Sequence, residues 1–164
     1  MKSRYSSLGV GALVLVLAAC GGEKQDAAPP TAEPAAAPVT SAVPQGQFAV
    51  CQTCHQPDGK GLPNAFPPLA GSEIANGPAE IPIAIVLHGL QGPLTVHGTT
   101  FNGQMAPWGQ FSDDDIAATL TYVRSSWGNA ASPVTAAQVA KVREETAART
   151  TPWTWDELQK AELK

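Results

Sequence analysis

The sequence predicts an all-α fold in which short helices wrap one large apolar insert, with a small hairpin and a helical C-terminal extension. Three observations point there. Capped stretches with apolar residues at helical spacing recur along the chain. Gly and Pro crowd the segment from Pro57 to Pro93, where long loops must wrap something. The aromatic and aliphatic residues lie mostly in one block, Gln47 to Gly128, whose 82 residues bury little apolar surface unaided.

The elements follow in order. Residues 1–19 have the layout of a lipoprotein export signal: Lys2 and Arg4, the apolar run Leu8 to Leu17, then small residues. That run is too short for a transmembrane helix. Leu17-Ala18-Ala19-Cys20 resembles a bacterial lipobox, which makes Cys20 the expected lipidation site and new N-terminus. Residues 20–46 read as a flexible tether: the 25 residues from Cys20 to Pro44 include 7 Ala and 5 Pro but no Leu, Ile or aromatic residue. As a coil its reach is about 25–30 Å. The block 47–128 then opens with a helix around Phe48 to Gln52 and continues with one from about Ile81 to Leu87, stopped by Gly89. Leu94 to Phe101 alternates around His97-Gly98 as a hairpin would. Ser112 with Asp115 caps a helix from Asp113 to about Trp127, and Ile116, Leu120, Val123 and Trp127 share one face of it. The run Asp113-Asp114-Asp115 suits the positive end of that helix's dipole. Residues 129–164 form the extension, in which Thr135 with Gln138 and Thr154 with Glu157 have capping-box spacing. Val134 with Val139, and Trp153 with Leu158, are placed to staple these two helix starts.

The chemistry is concentrated in Cys51-Gln52-Thr53-Cys54-His55, the C-x-x-C-H pattern for covalent attachment of a single haem c. Two thiols about one helical turn apart can each add to a haem vinyl group, and the following imidazole then lies under the iron. A zinc site would need two more ligands, and His88 and His97 give none of the compact spacings. A thioredoxin-like pair would follow a strand in a β-α-β setting, which is absent. A plain Cys51–Cys54 disulfide remains chemically open. Opposite His55, Met105 is the candidate sixth ligand, because no other methionine is left once the signal is removed. It sits in a segment shaped by Gly103 and Pro107, where Trp108 supplies a flat wall. A thioether favours ferrous iron and raises the reduction potential. Core filling is the competing role for Met105. His88 before Gly89 and His97 before Gly98 are rival ligands, for which helix-end and turn positions are the alternative explanation.

These residues together resemble a class I cytochrome c domain. The likeness runs from about Gly46 to Gly128 and includes Cys51 to His55, Phe66-Pro67-Pro68-Leu69-Ala70-Gly71, Val86 to Gly92 and the Met105 segment, all in the family's order. It is especially similar to cytochrome c domains fused to copper nitrite reductases and to small cytochrome subunits of periplasmic dehydrogenases. The resemblance implies that the Pro67 carbonyl accepts the hydrogen bond of the His55 imidazole and strengthens it as a donor. In one departure, Ala106 stands between Met105 and Pro107, where the family usually has Pro directly after the ligand.

With His55 and Met105 on both axial positions the iron has no open site, so the expected function is one-electron transfer and not catalysis. A dedicated cytochrome subunit of a larger dehydrogenase or reductase is the nearest alternative. A haem sensor or peroxidase-like enzyme is another, although no distal His-Arg pair supports it. The whole chain has 10 Lys+Arg against 14 Asp+Glu. Removing the signal leaves 8 against 14, which makes nucleic acid an unsuitable partner. Within the 47–128 block Lys60 and Arg124 stand against six carboxylates, which favours redox protein partners with a basic or apolar docking face. The expected location is the periplasmic side of a bacterial membrane, lipid-anchored. Gly21 in place of Asp after Cys20 points to the outer membrane.

Overall fold

The computed structural model describes residues 45–164. The export signal, the lipidation site Cys20 and the tether as far as Pro44 lie outside the described residues. The elements run α1 (Gln45–His55), α2 (Glu73–Asn76), α3 (Glu80–His88), β1 (Leu90–Val96), β2 (Thr99–Met105), α4 (Asp113–Ser125), α5 (Ala136–Glu145) and α6 (Trp155–Lys160). Helices predominate. A small two-stranded antiparallel hairpin accompanies them, so the fold is mostly helical. Among the described residues no helix is long and apolar enough to cross a membrane.

Local chemistry accounts for most boundaries. Ser112 Oγ accepts from the Asp115 amide at the start of α4, and Thr135 and Thr154 each form a complete capping box at α5 and α6. The hairpin turn is His97-Gly98, with φ of 50° and 72°. Two left-handed residues match the twist of the flanking strands. The strands pair from Val96↔Thr99 out to Leu90↔Met105. The ladder thus extends beyond the expected Leu94 to Phe101, and Gly92 and Gly103 face each other within it.

Two expectations need correction. Helix α4 stops at Ser125, and Trp127 is left-handed at φ 51°, outside the helical face expected for it. The reason is local: the Asn129 side-chain amide takes the Val123 carbonyl, which ends the helical ladder. Trp127 instead packs edge-on to Tyr122 at 5.4 Å and against Phe48 of α1 at 5.2 Å. Met105, expected in a Gly/Pro-shaped loop, is the last residue of β2.

The main core joins Ile83, Ala84 and Leu87 of α3, Leu94 and Phe101 of the hairpin, and Ile116 and Leu120 of α4. Val139, Val142, Trp153 and Leu158 of the C-terminal segment belong to the same core. That segment also extends the hairpin: the Trp153 amide donates to the Gly89 carbonyl (3.0 Å) and the Gln91 amide to the Trp153 carbonyl (2.8 Å). A smaller cluster of Phe48, Ala75 and Val123 ties α1 to α4, with Cys51 and Leu69 against it.

Candidate haem site

Helix α1 brings the two thiols and the imidazole to one wall of a cavity of about 320 Å³. Cys51 and Cys54 are one turn apart and both free. Burial pushes the Cys51 thiol above its ordinary pKa, and its Sγ points to the Gln47 carbonyl at 3.7 Å. His55 ends α1, and its Nδ1 lies 2.9 Å from the Pro67 carbonyl oxygen. A carbonyl can only accept, so Nδ1 carries the hydrogen and Nε2 keeps its lone pair. Burial lowers the His55 pKa, and the Pro67 hydrogen bond partly opposes that. Burial thus favours the neutral imidazole, the form that can donate to a metal.

Pro67 is presented by an irregular segment that needs Gly61. At φ 65° this glycine lies so close to the Phe66 and Pro67 carbonyl oxygens that a Cβ would collide with both. The Gly61 amide also donates to the His55 carbonyl at 2.9 Å, closing the loop back onto α1.

Another part of the lining comes from the end of β2 and the segment after it. Met105 and Trp108 line the cavity with Ala106. Trp108 stacks on Phe111 at 5.5 Å, and its amide donates to the Val86 carbonyl. Gly89 makes room for this wall, since a Cβ there would strike the Met105 carbonyl and crowd Pro107. His88 and His97 do not line the cavity. Thr146 Oγ1 donates to the Val142 carbonyl and so accepts from His88 Nε2 at 2.7 Å. His97 Nε2 donates to the Gly71 carbonyl at the surface. Among the described residues no three His, Cys, Asp or Glu side chains gather as a metal site, so the Cys-Cys-His set lacks the further donors zinc would need.

Apart from these groups the lining is largely apolar, from Pro68, Leu69, Ile85, Leu94, Phe101 and Leu120 among others. This suits a large flat hydrophobic group tied at one edge by two thioethers. A family model for cytochrome c matches residues 44–127. The chain belongs to the cytochrome c family. Cytochrome c-552 of Thermus thermophilus is 43% identical over 105 residues, covering 58% of this chain and 80% of the relative. The cytochrome c subunit of a quinone alcohol dehydrogenase of Gluconacetobacter polyoxogenes is 33% identical over 121 residues, covering 71% of this chain and 26% of that subunit. The fructose dehydrogenase cytochrome subunit of Gluconobacter japonicus is 37% identical over 106 residues, 58% of this chain and 20% of the subunit. Cytochrome c carries covalent haem c, for which Cys51 and Cys54 are in position. As a cytochrome c the protein is an electron carrier.

Residue-by-residue reading of the sequence passed over Ser72, Gly61 and Asn129. Asn129 is buried and uses all four hydrogen-bonding positions: Oδ1 accepts from Gly71 N and Asn76 Nδ2, and Nδ2 donates to the Leu69 and Val123 carbonyls. It joins the segment after Pro67 to α2 and α4. Gly128-Asn129 is visible in sequence as a turn, but partners 53 to 60 residues away are not.

Proposed function

We propose that the protein is a lipid-anchored electron shuttle with one haem, bound axially by His55 and Met105, on the periplasmic side of a bacterial membrane. Haem c supplies reversible one-electron exchange between ferrous and ferric iron. The chain's own residues do the rest. Cys51 and Cys54 fix the group covalently to α1. Pro67 holds the His55 ring and its tautomer, so that Nε2 remains a donor. Met105 offers a soft thioether from the opposite wall, and Trp108 and the apolar lining keep water away. The observation that carries the axial assignment is that His55 and Met105 line one cavity while His88 and His97 are engaged elsewhere. With His55 and Met105 both holding the iron, the chain would leave no site there for a substrate.

Optical spectra of the oxidised and reduced protein test this directly. The oxidised form should show the long-wavelength sulfur-to-iron band. Met105→Ala should abolish it, lower the reduction potential and open the iron to CO. A band that survives the substitution assigns the sixth position to another donor. For the anchor at Cys20, mass spectrometry of the N-terminal peptide should find an acylated cysteine, and an unmodified thiol there would end that part. Several acyl chains are needed, because one alone binds a membrane only marginally.

The dehydrogenase subunits among the relatives favour a second reading, in which the protein delivers electrons as part of a larger enzyme. Purification from membranes separates the two: a free shuttle elutes alone, whereas a subunit brings its dehydrogenase with it.

A further inference from the structure

Met105 ends β2, and residues 106–112 after it are in neither helix nor strand. Carbonyls in such a stretch have no ladder to satisfy them and must find other donors. Within it the Phe111 amide donates to the Trp108 carbonyl at 3.0 Å, and the Trp108 amide to the Val86 carbonyl of α3 at 2.7 Å. Arg143 of α5 supplies the rest of the hold. Its Nη1 donates to the Gly109 carbonyl at 2.7 Å, its Nη2 to the Phe111 carbonyl at 2.9 Å and its Nε to Asp113 Oδ1 at 2.9 Å. The three guanidinium nitrogens thus grip alternate residues of one stretch, which suits a planar fork and is beyond a single ammonium.

The base from which Arg143 reaches is firm. Its neighbour Val142 and Val139 one turn back are fully buried, and the Thr135–Gln138 capping box fixes the start of α5. Gly109 is tight on its other side as well, where a Cβ would stand 2.9 Å from the Leu87 carbonyl of α3. The stretch is therefore pinched between the end of α3 and Arg143. An ion pair with Asp113 alone would do little, since both side chains are about one-third exposed and the attraction is screened. The two carbonyl bonds are what act on the stretch beside Met105. A second hold from the same C-terminal segment is on the ladder: the backbone of Trp153 bonds to Gly89 and Gln91, which flank Leu90, the strand partner of Met105. Arg143 and Trp153 both lie beyond residues 44–127, the part matched by the cytochrome c model.

We propose that Arg143 is a latch, a positioning residue that acts through the 106–112 backbone to keep the Met105 thioether on the iron and outside ligands off it. The inference rests on Met105 being the sixth ligand. Fixing the backbone beside Met105 removes conformations in which its thioether is elsewhere, so ligation costs less entropy. The C-terminal extension thereby decides whether the iron is closed or open.

The test uses the full-length haem protein. Its oxidised form should show the long-wavelength sulfur-to-iron band, and absence of the band refutes the axial reading before Arg143 is touched, taking this inference with it. Arg143→Gln should keep native circular dichroism yet lose the band at a lower urea concentration than it loses helix. Its reduced form should bind CO about 10- to 100-fold more tightly than the native protein, the equivalent of one lost charge-assisted hydrogen bond. Arg143→Lys keeps the charge beside Asp113 but not the fork, so it should follow Arg143→Gln. Asp113→Asn removes the charge pair and leaves the carbonyl bonds, so it should match the native protein in band and CO affinity. The proposal is overturned by an Arg143→Gln protein that loses band and helix together with native CO affinity, or by an Asp113→Asn protein that loosens Met105 as much. Should the Arg143 variants fail to fold, the native protein decides. Imidazole added to the ferric form displaces Met105, and because coupling is reciprocal the guanidinium hydrogens of Arg143 should lose about tenfold or more of their protection from solvent exchange, read by nitrogen-15 NMR. Unchanged protection overturns the latch while the band in the untreated protein upholds the ligand.

Discussion

Gly61 owes its lack of a side chain to the carbonyl that orients His55. With φ at 65° and the Phe66 and Pro67 oxygens against it, any Cβ must displace the Pro67 peptide. Gly61→Ala is expected to cost about 2–4 kcal/mol by combining a left-handed non-glycine with overpacking. The same displacement weakens His55 as a donor, so a lower denaturation midpoint should appear together with a shifted reduction potential. A fall in stability with the potential unchanged would separate the loop from the ligand. His88 gives the molecule a pH dependence remote from the iron. Burial first, then the charges of Arg149 and Arg143, push its pKa below the ordinary value near 6.5. The unfolded chain therefore binds this proton more readily than the folded one. The contribution is complete above the unfolded value, and it is lost as pH falls through the folded value. Denaturation midpoints should decline from pH 7.5 to 5.5, and His88→Gln, which can still donate to Thr146, should flatten that part of the slope.

At the level of elements, the caps are local and for that reason legible. Ser112, Thr135 and Thr154 each meet a partner three residues on, within a single turn of helix. Thr135→Ala should cost about 1 kcal/mol, because it removes the hydroxyl that accepts from the Gln138 amide. A thermal melt would read this, and an unchanged midpoint would mean that α5 is held by Val139 and Val142 alone. The hairpin was legible at its turn and not at its ends. Gly92, Pro93 and Gly103 look like punctuation, yet the strands pass through them because Trp153 hydrogen-bonds to both Gly89 and Gln91 from the far end of the chain. Helix α2 has four residues, too few for any periodicity to register, and only the Ser72-Glu73 start marks it. The haem motif was legible because residue type and spacing carry the chemistry. Arg124 and Asn129 were not, because what they do depends on carbonyls 47 to 60 residues away.

Across the whole molecule, charge is distributed unevenly. Of the two basic residues in the 47–128 block, Arg124 is buried and exposed Lys60 sits 3.5 Å from Asp58, so little positive charge is free on that surface. Asp113 is matched by Arg143 of α5 at 2.9 Å, but Asp114 has no ion-pair partner among the described residues. A basic electron acceptor should therefore react fastest at low salt. Its second-order rate should fall steeply as the Debye length shrinks from about 30 Å at 0.01 M to about 8 Å at 0.15 M. Rates indifferent to salt with every competent acceptor would leave the apolar surface near Val50 and Leu62 as the contact. The placement of Val139, Val142, Trp153 and Leu158 in the main core bears on the order of assembly. A chain is synthesised from its N-terminus, so Cys51, Cys54 and His55 appear about 100 residues before Leu158. The outer apolar flanks of α3, β1 and α4 wait uncovered through that interval, although every residue that lines the cavity, from Val50 to Arg124, has by then been made. The thiols are thus offered to a bulky, rigid group while the scaffold behind the cavity is still unbraced, and residues 134–158 are what brace it.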